Sequence, residues 1–183
     1  MKRKVLALAL GMSMVLGTTA MAEEFNPDKV EDAMSIEEVR EKNGEEVPVA
    51  KDLTLGAIAK SFSNEFWRTL EEGYGEAQDK VNEAGVNVTI QVDGPTDEND
   101  EIGQQTMTDN MVNQGYDAIM ASPISDANLT ASIESANEAG IATVNVNDGL
   151  IAAANYYVGP NAYQNGQLAA EWVSEKLGDE GQV

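Results

Sequence analysis

The sequence of 183 residues contains neither cysteine nor histidine. Without thiols there is no disulfide, no thiolate nucleophile and no attachment point for lipid. Without imidazoles, the Ser-His-Asp and Cys-His arrangements and the usual transition-metal ligand sets cannot be built from these residues. Cations are scarce too: 11 Lys and Arg stand against 32 Asp and Glu, a net charge of −21. Such a surface repels nucleic acid and anionic membrane. Neither G-x-G-x-x-G after the first expected strand nor G-x-x-x-x-G-K-[ST] anywhere occurs, so nucleotide cradles are unsupported. The acidic run Asp97-Glu98-Asn99-Asp100-Glu101 lacks the residue order of a calcium loop and reads instead as a solvated helix start. The expectation is a protein that is not an enzyme, with no metal site and no cofactor.

A membrane-spanning run is also missing. Met1-Lys2-Arg3-Lys4 leads into an apolar stretch from Val5 to Leu16 and then the small-residue tail Gly17 to Ala22. About a dozen apolar positions fall short of the roughly 20 that cross a bilayer. The order of basic, apolar and A-x-A segments is that of a secretory signal peptide cut after Ala22. Cleavage removes three cations and no acid, taking the net charge from −21 to −24. With no cysteine to lipidate, the expected destination is the periplasm, without a membrane anchor. Residues 23–50 read as an acidic, solvated leader with a short helix near Ser35 to Lys42.

From Leu53 onward short apolar runs alternate with longer amphipathic stretches, the rhythm of βαβ units. Expected strands are 53–58, 86–92, 118–121 and 141–146, with a short one at 156–158. Expected helices run from about 65 to 84, with an apolar stripe at Phe66, Leu70, Tyr74, Ala77 and Val81, and from about 101 to 113. Another, capped by Ser125 or Asp126, runs to Ala139-Gly140, and the last covers about 162 to 177. The fold class is α/β, a Rossmann-like parallel sheet flanked by helices. Gly181-Gln182-Val183 reads as the beginning of a further strand.

In an open parallel sheet, ligands bind beyond the carboxyl ends of the strands, where loops of adjacent units share a crevice. Those loops contain Lys60, Asn64, Phe66 and Trp67 after the first strand, Ser122 after the third, and Asn147 and Asp148 after the fourth. Ammonium, amide, hydroxyl and carboxylate groups beside aromatic rings suit a sugar, whose hydroxyls donate and accept and whose C–H faces stack on rings. Each residue also has a structural reading. Asn64 directly precedes a helix and is a good N-cap, and Asn147-Asp148-Gly149 is a competent turn. Phe66 and Trp67 are adjacent and cannot share one helix face, so one of them can be core. Lys60 follows a strand that should be buried, an unusual place for a cation.

The order of these features, K-S-F-S-N-E-F-W after a strand, Y-D-A-I-M-A-S-P, A-N-E-A-G-I-A-T-V-N-V-N-D and Y-V-G-P-N-A-Y-Q-N-G, resembles the periplasmic sugar-binding proteins of the ribose, allose and galactose type over about Lys51 to Val183. That resemblance implies two lobes closing on a monosaccharide, which is then delivered to the membrane permease of an ABC transporter by a monomeric carrier. It implies ligand contacts for Lys60, Asn64, Phe66, Trp67 and Ser122. Lys60 looks most like the allose-type version. Where such proteins usually carry an Asp that binds sugar hydroxyls, followed by Arg or Glu, this chain has Asn147-Asp148, which puts the identity of the sugar in question. The resemblance divides the chain into a signal peptide (1–22), leader (23–50), N-terminal lobe (51–160) and the opening of a second lobe (161–183). Residues 23–183 alone are accordingly expected to bind sugar weakly or not at all. The alternative function is a ligand-sensing protein presenting a sugar or sugar-like signal to a chemoreceptor or sensor kinase.

Overall fold

The computed structural model describes residues 33–43, 52–147 and 149–178. The expected signal peptide and most of the expected leader lie outside them, as does Asp148. Within the leader, α1 (Ile36–Asn43) forms where a short helix is expected. Its start is a capping box: Ser35 Oγ accepts from Glu38 N (3.2 Å), while a Glu38 carboxylate oxygen accepts from Ser35 N (2.7 Å). Hydrogen bonding from Ser35, its backbone amide first and its side chain second, holds the Glu38 carboxyl below its ordinary range.

Five strands follow, β1 (Leu53–Ile58), β2 (Val88–Asp93), β3 (Ala118–Ala121), β4 (Ala142–Val146) and β5 (Tyr156–Val158). They form one parallel sheet in the order β2-β1-β3-β4-β5. Between them run α2 (Glu65–Glu83), α3 (Glu101–Gln114) and α4 (Thr130–Glu138), and α5 (Ala162–Leu177) comes last. Among the described residues no helix is long and apolar enough to cross a membrane.

The order reverses direction between β1 and β3. Because βαβ crossovers are right-handed, connections that run in opposite directions along the sheet place their helices on opposite faces. α3 and α4 pack on each other and cover β1 and β4, while α2 packs on β2. The main core lies under α3 and α4: Ile58, Met111, Ile119, Leu129, Ile133 and Ile141 are all at most 5% exposed. Truncating one of them, such as Ile119→Ala, costs about 2–5 kcal/mol. Gly56 gives α3 its close approach, since a Cβ there would collide with the Met111 sulfur and stand 3.1 Å from the Tyr116 ring.

Helix α2 turns one residue away from the expected stripe. Trp67 is buried at 4% exposure, whereas Phe66 is 51% and Val81 38% exposed. The reason lies at the outer edge of β2. Gln78 Oε1 accepts from Ile90 N (2.6 Å), and Asn82 pairs with both backbone groups of Val88 (2.7 and 3.0 Å). Two polar side chains therefore face the sheet, and the inward row becomes Trp67, Leu70, Tyr74 and Gln78.

The start of α4 also differs. Residues 126–129 form a turn, and the helix begins at Thr130 with no side-chain cap. Of the residues expected to cap it, Asp126 uses its carboxylate to accept from Leu150 N (3.0 Å), and Ser125 lies in the bend ahead of the turn, where its backbone N donates to Asn128 Oδ1 (3.1 Å). Helix α5 matches its expected span but contributes no buried residue. Leu168, Trp172 and Leu177 are each more than half exposed.

Candidate functional site

The reversal between β1 and β3 opens a crevice at the carboxyl ends of the strands, the place where doubly wound sheets bind ligands. A cleft of about 300 Å³ occupies this end, lined by Lys60, Asn64, Phe66, Trp67, Glu98 and Asn147. Five of the seven residues singled out from the sequence thus come together.

The loop after β1 is fixed before any ligand arrives. Ala59 N donates to Asp93 O (2.9 Å) and Phe62 N to Pro95 O (3.1 Å), tying it to the loop after β2. Gly94 makes this possible, for a Cβ there would sit 3.2 Å from both the Cβ and the carbonyl oxygen of Ala59. On the other side, Gln104 of α3, wholly buried, spans the switch point. Its Nε2 donates to Ala59 O and Ser122 O (2.9 Å each), and its Oε1 accepts from Ile124 N (3.0 Å) and Asn128 Nδ2 (2.7 Å). One amide with every hydrogen-bonding position filled clamps the ends of β1 and β3 together.

Asn64 performs the capping expected of it and keeps a group for the cleft. Its Oδ1 accepts from Phe66 N (3.0 Å), which fixes which end of the amide is oxygen. The NH2 therefore turns outward, donating to Glu98 Oε1 (3.2 Å) with a second proton remaining. Phe66 and Trp67 meet edge to face, ring centroids 4.8 Å apart at 87°. Trp67 forms the buried rear wall and Phe66 the exposed ring, so adjacent residues serve one cleft without sharing a helix face.

Glu98 was not among the sequence candidates. It lies in the acidic stretch that reads as a solvated helix start, and its neighbours do that work: Asp100 caps α3 by accepting from Gly103 N (2.8 Å). Asp97 accepts from the backbone and side-chain amides of Asn99, both at 2.8 Å, bonds that hold its carboxyl below the usual range. The signal that points to Glu98 is topological. The loop after β2 also ends at the carboxyl edge, next to β1.

Ser122 is placed differently from expectation. It is 2% exposed, outside the cleft lining, and its hydroxyl donates to Val146 O (3.0 Å), bracing β3 against β4. Asn147 lines the cleft directly after β4 in a left-handed conformation, φ 69°. A carboxylate, two amides, an ammonium and an exposed ring around a small cleft can grip a polar, polyhydroxylated molecule from several sides.

A parallel sheet in this order, with its cleft at the reversal, is a doubly wound ligand-binding arrangement of the kind found in type I periplasmic binding proteins. Residues 55–183 match the Periplasmic binding protein domain family, and the chain belongs to it. It is 26% identical over 136 residues to the ribose import binding protein of Bacillus subtilis, covering 70% of this chain and 40% of that one. It is 28% identical over 135 residues to a D-ribose/D-allose-binding protein of Pseudomonas aeruginosa, covering 69% and 41%. The crystal structure of an ABC transporter solute-binding protein from Agrobacterium vitis with bound D-fucose superposes with a TM-score of 0.55 at 26% identity, over 68% of this chain and 43% of that one. The chain thus spans about 40% of the length of the curated relatives it matches.

Proposed function

We propose that this chain is the N-terminal part of an exported solute-binding protein that captures a monosaccharide of the ribose or allose kind and delivers it to an ABC transporter permease. The observation that carries this reading is the cleft at the sheet reversal, where Asn64 NH2, the Glu98 carboxylate, Lys60, Asn147 and the exposed Phe66 ring surround a sugar-sized space. Vicinal hydroxyls accept from the amides and the ammonium and donate to the carboxylate, while Phe66 covers a C–H face. Ser122 acts behind the cleft, by bracing, and Asp148, next in sequence after Asn147, is retained as a candidate ligand contact. Supporting the reading are the sugars for which the relatives are named, ribose, allose and D-fucose, and the basic, apolar and small-residue order of residues 1–22. The unburied apolar residues of α5 support its assignment to a second lobe, which would supply the other half of the ligand contacts.

A thermal-shift panel of pentoses, hexoses and polyols on the full-length protein tests the reading. A ligand at a hundredfold excess over its Kd adds about 2.7 kcal/mol to the stability of the native state. If no sugar in a broad panel raises the melting temperature, the sugar assignment falls. Delivery is tested by whether the loaded protein stimulates ATP hydrolysis by the neighbouring permease and ATPase. Stimulation of a chemoreceptor or sensor kinase instead would move the protein to signalling.

A further inference from the structure

Asn147 is the one residue other than glycine at positive φ among the described residues. Left-handed backbone is unfavourable for a residue with a Cβ, although Asn tolerates it better than most, and it persists where the surroundings over-determine it. Here the surroundings are specific. Asn147 N donates to Val158 O (2.8 Å), and the Tyr157 hydroxyl donates to Asn147 O (2.7 Å). Both partners come from β5. Gly159, immediately after that strand, leaves the space the bond requires: a Cβ there would stand 2.6 Å from Asn147 O and collide with the Tyr157 hydroxyl. The far side of the turn is held separately by buried Asn145, which donates to Gly149 O (3.0 Å) and accepts from Ile151 N (2.9 Å).

We propose that Tyr157 is a positioning residue for the ligand cleft: its hydroxyl, reaching across Gly159, locks Asn147 in the left-handed conformation that puts its amide in the cleft lining. The inference rests on the reading that Asn147 contacts ligand. It assigns functions to a tyrosine and a glycine that touch no ligand themselves. Because β5 leads directly toward α5, the strand that carries the chain out of this lobe also sets the geometry of the cleft.

Two measurements on the full-length protein separate the lock from its use. Hydrogen exchange of the Asn147 amide needs no ligand. Tyr157→Phe, which keeps the ring, and Gly159→Ala, which crowds the acceptor, are expected to speed that exchange about ten-fold, as for loss of one hydrogen bond. Exchange at Ile119 in the core follows global unfolding and should rise no more than at Asn147. Unchanged exchange at Asn147 in Tyr157→Phe overturns the lock. Titration with whichever monosaccharide the panel identifies is the second measurement. Both variants are expected to bind it about ten-fold more weakly, and neither should weaken it further in an Asn147→Gly background, where the amide is gone and positive φ is unstrained. A loss of equal size in that background shows that Tyr157 acts elsewhere and overturns the proposal. Faster exchange with unchanged affinity rejects Asn147 as a ligand contact, and the positioning role with it. Faster exchange in a protein that binds no sugar upholds the lock and removes the sugar reading instead.

Discussion

Replacing Gln104 by Glu tests whether one buried amide holds the two sides of the cleft together. The substitution leaves the shape nearly unchanged but removes both Nε2 donors, so that Ala59 O and Ser122 O each face an oxygen. Two buried carbonyls without partners cost about 1–3 kcal/mol each, and an ionised carboxylate at a wholly buried position adds a desolvation penalty of similar or greater size. At neutral pH a loss of about 4 kcal/mol or more is expected, much of the roughly 5–15 kcal/mol by which domains are stable. The sign with pH is distinctive. Burial favours the neutral acid, so the folded-state pKa of the new carboxyl lies above the unfolded value of about 4.3. Its contribution is intact below that value and is lost as pH rises through the folded value. Urea unfolding of wild type, Gln104→Glu and Gln104→Met at pH 4.5 and 7.5 is the assay. The Glu variant should be much closer to wild type at the lower pH, whereas the Met variant, which loses all four bonds and cannot titrate, should keep the same deficit at both. A Glu variant with an equal deficit at both pH values, or within about 1 kcal/mol of wild type at pH 7.5, would refute the reasoning.

Three further outcomes follow from the same contacts. Asn64→Ala should lose the α2 cap at about 1 kcal/mol, melting a few degrees lower, while Asn64→Asp keeps the acceptor for Phe66 N and should melt well above the Ala variant yet bind sugar no better; calorimetry and thermal unfolding read the two effects separately. Glu98→Gln retains an acceptor for Asn64 but not the charge, and should weaken sugar binding about ten-fold in a titration while leaving the melting temperature nearly unchanged. Burial pushes the Tyr74 phenol up to about 12, so the fold favours its neutral form: that contribution, on the order of 2 kcal/mol, is present below pH 10 and lost between pH 10 and 12, and Tyr74→Phe should flatten this alkaline slope in urea titrations.

What could be read from the sequence, and what could not, divides by the range of the interactions. Strand β1, strand β3 and helix α5 fall on their expected residues because short apolar runs, turn residues and helical periodicity are local signals. The location of the cleft follows from the same rhythm, since the carboxyl ends of parallel strands are fixed once the strands are. Failures arise where a polar side chain serves a distant backbone group. Asp126 caps no helix because it accepts from Leu150 N, Ser122 does not line the cleft because Val146 O takes its hydroxyl, and α2 rotates because Gln78 and Asn82 serve the edge of β2. The inward row of α3 includes wholly buried Gln104 and Thr108, so no apolar stripe marks that face. Glu98 was hidden by its neighbours: in a run of acids, composition does not tell the helix cap from the cleft wall.

The pairing of Asn82 with Val88 bears on how this lobe behaves in company. A strand at the border of a sheet offers a row of open backbone groups, a template on which another chain can lay itself down. At β2 some of those positions are occupied from within: Asn82 pairs with both backbone groups of Val88 as a neighbouring strand would, and Gln78 takes the N–H of Ile90. A foreign segment laid along Val88 to Ile90 would have to displace two side-chain amides of the same chain. Among the described residues the other end of the sheet is β5, three residues long. The β2 border is thus partly closed to growth by substitution, a safeguard against fibre-like association that does not depend on charge repulsion.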